Sequence, residues 1–150
     1  MTSLLTLTYA APTRAVAQGE VLLTQGEVGG DLFVLESGRL EVERDGVTIA
    51  YIEEPNSLIG EMSVLLGTSA SATVRADHAS KVRVVRDAMR LLENQPQLAL
   101  RLAVVLCQRL DATSALLVRL NQEHAGRASE QGLLRRIFSA LLNSPAPKAR

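Results

Sequence analysis

Tryptophan is missing from this chain, and phenylalanine and tyrosine supply only two residues each. With 3% aromatic but 47% hydrophobic residues, any interior must be packed from aliphatic side chains. The single cysteine, Cys107, excludes an internal disulfide and any iron–sulfur cluster that needs four thiolates. One thiol in 150 residues fits a reducing compartment, and the cytoplasm is the expected location. Histidine is nearly as scarce. His78 and His124 lie far apart, so a metal centre of clustered His and Glu cannot be assembled. No nucleophile-elbow motif accompanies a serine either, and we expect no catalytic residues, no metal and no enzyme activity. Charge of one sign is not in excess: Lys and Arg total 16, as do Asp and Glu. That balance gives no overall footprint for nucleic acid, and no DNA partner is expected. Long apolar runs are absent too, so no segment reads as a membrane span. Met1 to Ala11 is mildly apolar but has no basic residue ahead of it, which makes a poor secretory signal.

What is present begins with glycine. Gly19, Gly26, Gly29, Gly30, Gly38, Gly46, Gly60 and Gly67 punctuate the first half and separate short apolar runs. The runs are Val21-Leu22-Leu23, Leu32-Phe33-Val34-Leu35, and Leu40 with Val42. The clearest hairpin spans Leu40 to Ile52. Leu40 and Val42 alternate with Arg39, Glu41 and Glu43, Asp45-Gly46 supplies a tight turn, and Val47, Ile49 and Tyr51 continue the alternation. Ala72-Thr73-Val74 and Val82-Arg83-Val84 read as two more strands around an Asp77-His78-Ala79 turn. Short strands at this spacing point to a barrel or roll.

After Asp87 the period changes. A short helix from Ala88 to Glu93 precedes Pro96, and a long helix is expected from Gln97 to Gln122. It carries two apolar stripes. One runs through Ala99, Ala103, Leu106, Leu110, Thr113, Leu117 and Leu120; the other runs through Leu98, Leu102, Val105, Arg109, Ala112 and Leu116. Together they are too wide for a helix packed on one side only, so one stripe is expected to cover the roll and the other to meet a partner chain, giving a homodimer through residues 97–122; the competing arrangement is a helix from Ser129 to Leu142 that folds back over that stripe within one chain. A shorter helix is expected from Ser129 to Leu142, before a Pro-containing tail. The expected fold is therefore mainly β with helices: a double-stranded β-helix, or jelly-roll-like β-roll, followed by a long C-terminal helix and a short terminal helix. Residues 1–122 form the roll with its long helix, and residues 123–150 the short helix and tail.

The informative stretch is Ile59-Gly60-Glu61-Met62-Ser63-Val64-Leu65-Leu66-Gly67-Thr68-Ser69-Ala70-Ser71-Ala72-Thr73-Val74. A glycine stands before a turn or two of helix, a second glycine follows, then small hydroxyl residues, then a strand. Glycine lets backbone approach a ligand, and the first N–H groups of a helix favour an anion. Glu61 would repel that anion, so it is better placed to accept hydrogen bonds from a sugar hydroxyl. It is also what a helix takes in its first turn for the dipole alone.

This stretch resembles the phosphate-binding cassette of the cyclic-nucleotide-binding domains, found in the catabolite activator proteins and in the regulatory subunits of protein kinase A. Their pattern is F-G-E-[LM]-[AS]-L-L, a short loop, then R-[STA]-A-[TS]-V. Gly19-Glu20, Gly26-Glu27, Ser37-Gly38-Arg39 and Asp45-Gly46 fall where that family places its turns, and the likeness runs from about Thr13 to Leu120. The segment Arg109 to Ser114 is similar to the activators' central helix, where a Thr-Ser pair touches the nucleotide base. The resemblance implies a ligand site formed by Gly60, Glu61, Met62, Ser69, Ala70, Ser71, Thr113 and Ser114, with a cyclic nucleotide as the ligand.

One position departs from the pattern. Where the family has the arginine that pairs with the cyclic phosphate, this chain has Ala70. Arg75 follows five residues later, and an odd offset on a strand points it to the opposite face. Losing a bidentate, charge-assisted pair weakens phosphate binding on the order of a hundredfold or more. The chain is therefore expected to be a stand-alone sensor or regulatory module holding cAMP and cGMP weakly. The alternative is a degenerate domain that works as a dimerisation or protein-interaction module without ligand, with a protein partner not identified. A winged helix-turn-helix of about 70 residues would not fit after Leu120. Other residues carry plainer expectations: Thr113 equally as a polar residue in a helix seam, Ser114 as surface, Arg109 as a snorkelling side chain, His78 and His124 as solvated groups, and Cys107 as a buried small hydrophobe.

Overall fold

The computed structural model describes residues 2–123 and residue 139. The described residues fall into two units, one ending at Leu102 and one beginning at Ala103.

The first unit holds eight strands in two four-stranded antiparallel sheets. One sheet has the order β1 (Thr13–Val16), β8 (Ser80–Val85), β3 (Leu32–Ser37), β6 (Leu58–Ile59). The other has β2 (Val21–Leu23), β7 (Thr73–Ala76), β4 (Leu40–Arg44), β5 (Val47–Ile52). Apart from the β4–β5 hairpin, chain neighbours thus alternate between sheets, which is the β-roll expected from the sequence. Phe33 pairs with Val84 and Leu35 with Val82 in the first sheet, and Val42 with Val74 in the second. These residues, with Val16, Leu22, Leu40, Ile59 and Ala76, make one core, aliphatic but for Phe33, with Val42 partly buried against it. The other face of β3 is buried as well, at Leu32 and Val34. There α1 (Leu4–Leu7) contacts β3 and buries Leu4. This explains why Leu32 to Leu35 reads as an unbroken apolar run rather than an alternating one.

Three details depart from the sequence expectation. β1 and β6 were not visible in it: Thr13-Arg14-Ala15-Val16 is too polar to stand out, and β6 has only two residues. The hairpin turn is as expected, with Asp45 and Gly46 both at positive φ (53° and 77°). Its return strand, however, is exposed at Val47, Ile49 and Tyr51. β5 is a sheet edge, and a register shift opposite Val42/Glu43 leaves Ile49 as the extra residue, so its alternation marks no buried face.

Two helices follow β8: α3 (Ala88–Asn94) and α4 (Pro96–Glu123), close to the expected bounds. Leu98 and Leu102, heading the second apolar stripe, are buried. From Ala103 to Glu123, every residue of α4 is half-buried or exposed. Cys107 is exposed, which corrects the expectation of a buried small hydrophobe. It belongs to neither apolar stripe of the helix. The expected helix from Ser129 to Leu142 lies outside the described residues, apart from Ser139, which is helical.

Candidate ligand-binding site

The cassette is built at the end of β6. Leu58 and Ile59 are buried and pair with Val34 and Phe33. Gly60 then turns the chain at φ +87°, and a Cβ there would sit 3.1 Å from the carbonyl oxygen of Asp31. Both the conformation and the close approach call for glycine. Behind it, α2 (Glu61–Leu66) runs for six residues and stops at Gly67, also left-handed at φ +63°. Within this turn the Ser63 hydroxyl donates to the Gly60 carbonyl at 3.1 Å.

Glu61, Ser63 and Val64 are the buried residues of α2, while Met62 is half exposed (52%). Ser69 and Ser71 are exposed, and Ala70 between them is buried. Ala70 is fixed from both sides: its N–H donates to the Glu27 carbonyl, and its own carbonyl accepts from the Gly26 N–H, each at 2.8 Å. The loop between β2 and β3 is thereby tied to the end of the cassette.

Those ties frame a cavity of about 260 Å³. The cassette contributes Ser63 and Ala70 to its wall, β2 contributes Leu22 and Leu23, and β3 contributes Phe33. Thr24, Glu27, Val28, Gly29, Gly30 and Asp31 of the loop supply much of the rest, together with Arg14 of β1. The Arg14 guanidinium is held 2.6 Å from Glu20. Glu20 in turn accepts from the Ala17 N–H, which with Arg14 holds its carboxyl below the usual carboxylate range. One oxygen of Asp31 accepts from the Asp87 N–H at 3.2 Å. Sequence reasoning read Gly26-Glu27 as a turn but did not assign this loop to the site; the adjacent Gly29-Gly30 pair was a further local signal.

Arg75 does not take the role left open by Ala70. It bonds to Glu43 at 3.1 Å and lies 3.9 Å from Glu41, both on β4. Thr113 and Ser114 belong to the second unit, on α4. Thr113 is exposed and its hydroxyl donates back to the Arg109 carbonyl at 2.8 Å, while Ser114 is half-buried. His78 is 65% exposed, with Nδ1 3.0 Å from the Asp77 carboxylate. No cluster of three or more His, Cys, Asp or Glu side chains suited to a metal ion occurs among the described residues. No helix among them is long and apolar enough to cross a membrane.

This geometry has known counterparts. The sequence model of the cyclic nucleotide-binding domain matches residues 13–93. A cAMP-dependent protein kinase regulatory subunit of Schizosaccharomyces pombe is 26% identical over 97 residues, covering 59% of this chain and 24% of the subunit. Among solved structures, the Thermus thermophilus catabolite activator protein superposes with a TM-score of 0.64 at 28% identity, over 79% of this chain and 59% of that one. A cyclic nucleotide-binding domain from Methylobacillus flagellatus gives a TM-score of 0.61 at 27% identity, over 77% and 69%. The chain thus spans about a quarter of the kinase subunit and somewhat over half of the activator. With the β-roll, the glycine-flanked cassette helix and the match from β1 through α3 in agreement, the chain belongs to the cyclic nucleotide-binding domain family.

Proposed function

We propose that this chain is a ligand-sensing regulatory module without catalytic activity, and that it binds a nucleotide-type molecule at the cassette while holding cAMP and cGMP weakly. The observation that carries this is Ala70. It is buried on the cavity wall at the position where the cassette pattern has a phosphate-pairing arginine, and the guanidinium of Arg14 on the same wall is engaged by Glu20. Gly60, Glu61 and Met62 would hold the ligand at the head of α2, with Ser69 and Ser71 beside Ala70. Binding would be read out through α4, which would also join two copies as a homodimer along residues 97–122. The cytoplasm is the proposed setting, with neither DNA nor membrane as a partner.

Calorimetry with cAMP and cGMP tests the reading. Binding that is measurable but weaker than micromolar supports it. Sub-micromolar affinity for either nucleotide overturns the weight placed on Ala70. A second reading is a ligand-free dimerisation module, favoured by the exposure of Leu110, Leu116, Val118 and Leu120 on α4. That reading is selected if no nucleoside or nucleotide binds at all.

A further inference from the structure

We propose that this cavity, which Ser63 and Ala70 of the cassette line and Gly60, Glu61 and Met62 do not, takes an uncharged nucleoside in preference to any phosphate-bearing form of it; the inference rests on the sensor reading above and names its ligand class. The first ground is charge. The wall carries two carboxylates, Glu27 and Asp31, against one guanidinium, Arg14. Arg14 is neutralised by Glu20 at 2.6 Å, so the cavity faces an incoming ligand with net negative charge. A phosphate brought here meets like charges, a repulsion that is strongest at low salt.

The second ground is backbone. Ala70 stands at the phosphate-pairing position, and both its N–H and its carbonyl are spent on the β2–β3 loop. An incoming anion therefore finds no donor at that residue. The third ground is size and lining. About 260 Å³ lies just below the roughly 300–1,000 Å³ of ordinary small-molecule sites, which favours a ligand shorn of its phosphate. Leu22, Leu23 and Phe33 offer an apolar floor for a ring. Thr24 and the two carboxylates are the acceptors that ribose hydroxyls require.

The test compares adenosine with cAMP, and guanosine with cGMP, by calorimetry on the full chain at low and high salt. At low salt one nucleoside binds about tenfold or more tightly than its cyclic nucleotide, and added salt narrows the gap by screening the repulsion. In the double variant Glu27→Gln/Asp31→Asn the acceptors stay and the charges go, so the nucleoside-to-nucleotide ratio falls toward one. Melting of the variant confirms that it is folded. A cyclic nucleotide binding more tightly than its nucleoside overturns the inference and leaves the sensor reading standing. A ratio unmoved in the folded double variant overturns the role given to the carboxylates. If none of the four ligands binds, both the inference and the sensor reading fall.

Discussion

The backbone N–H of Ala70 donates to the carbonyl of Glu27 over 2.8 Å, joining the end of the cassette to a loop more than forty residues earlier in the chain. Because the tie is made by backbone, a change of side chain at Ala70 leaves it in place. Ala70→Arg is therefore expected to keep the fold and restore a phosphate partner. Affinity for cAMP should rise about tenfold or more by calorimetry, for one recovered charge-assisted pair. An unchanged affinity in a variant that melts normally would show that the added guanidinium cannot reach a phosphate in this cavity.

A tighter relationship exists between Gly38 and Ser80. A Cβ on Gly38 would lie 2.2 Å from the Ser80 hydroxyl oxygen and 2.6 Å from its Cα, and Gly38 sits at φ +104°. That hydroxyl is itself engaged, accepting from the Arg39 N–H at 3.0 Å and donating to the His78 carbonyl at 2.7 Å. Gly38→Ala should cost about 2 kcal/mol or more, by strain and overpacking together. Denaturant unfolding measures it. Ser80→Gly added to Gly38→Ala should recover only part of the loss, since the positive φ remains.

Acid should destabilise the roll through Glu36. The Arg83 guanidinium bonded to it holds its carboxyl below the ordinary value of 4.5, with help from the Thr13 hydroxyl and Lys81. Arg83 also donates to the Tyr9 and Ala11 carbonyls, so the pair pins the N-terminal segment. A lowered folded value means the contribution is complete above the unfolded carboxylate range and is lost as pH falls through the folded value. Melting temperature should stay level from neutral pH down to about 5 and then decline. Glu36→Gln should lower the neutral-pH melting temperature and make that decline shallower. An identical slope in both proteins would assign the acid sensitivity elsewhere.

Assembly is the fourth expectation. Leu110, Leu116 and Leu120 are 42%, 52% and 38% exposed on α4. Burying such a side chain is worth roughly 1.5–3 kcal/mol, enough in combination to drive two helices together. Sedimentation should give about twice the 16.1 kDa of one chain, and Leu110→Glu or Leu117→Glu should return it to a single mass. A dimer indifferent to both changes would place the interface on another surface.

How much of this was legible in the sequence differs by residue. The hairpin of Asp45-Gly46 and the cassette helix between Gly60 and Gly67 could be read, because a local glycine requirement fixes each. So could the departure at Ala70, which is a matter of position. The cavity wall could not. Glu27 and Asp31 reach it through bonds to Ala70 and Asp87, forty and more residues away, and no local pattern encodes such a partner. Cys107 was misjudged because an apolar helix suggests burial unless its stripes are followed residue by residue.

The extra residue at Ile49 has a consequence for how copies of this chain behave toward one another. Among the described residues, β5 closes the second sheet with an unpaired edge whose Val47, Ile49 and Tyr51 are all exposed, features of a strand that would template a neighbour's. The register shift against Val42 and Glu43 breaks the spacing of backbone donors and acceptors midway along that strand. An incoming strand can match the ladder on one side of the interruption but not on both. A single inserted residue thus works against edge-to-edge pairing of copies along β5.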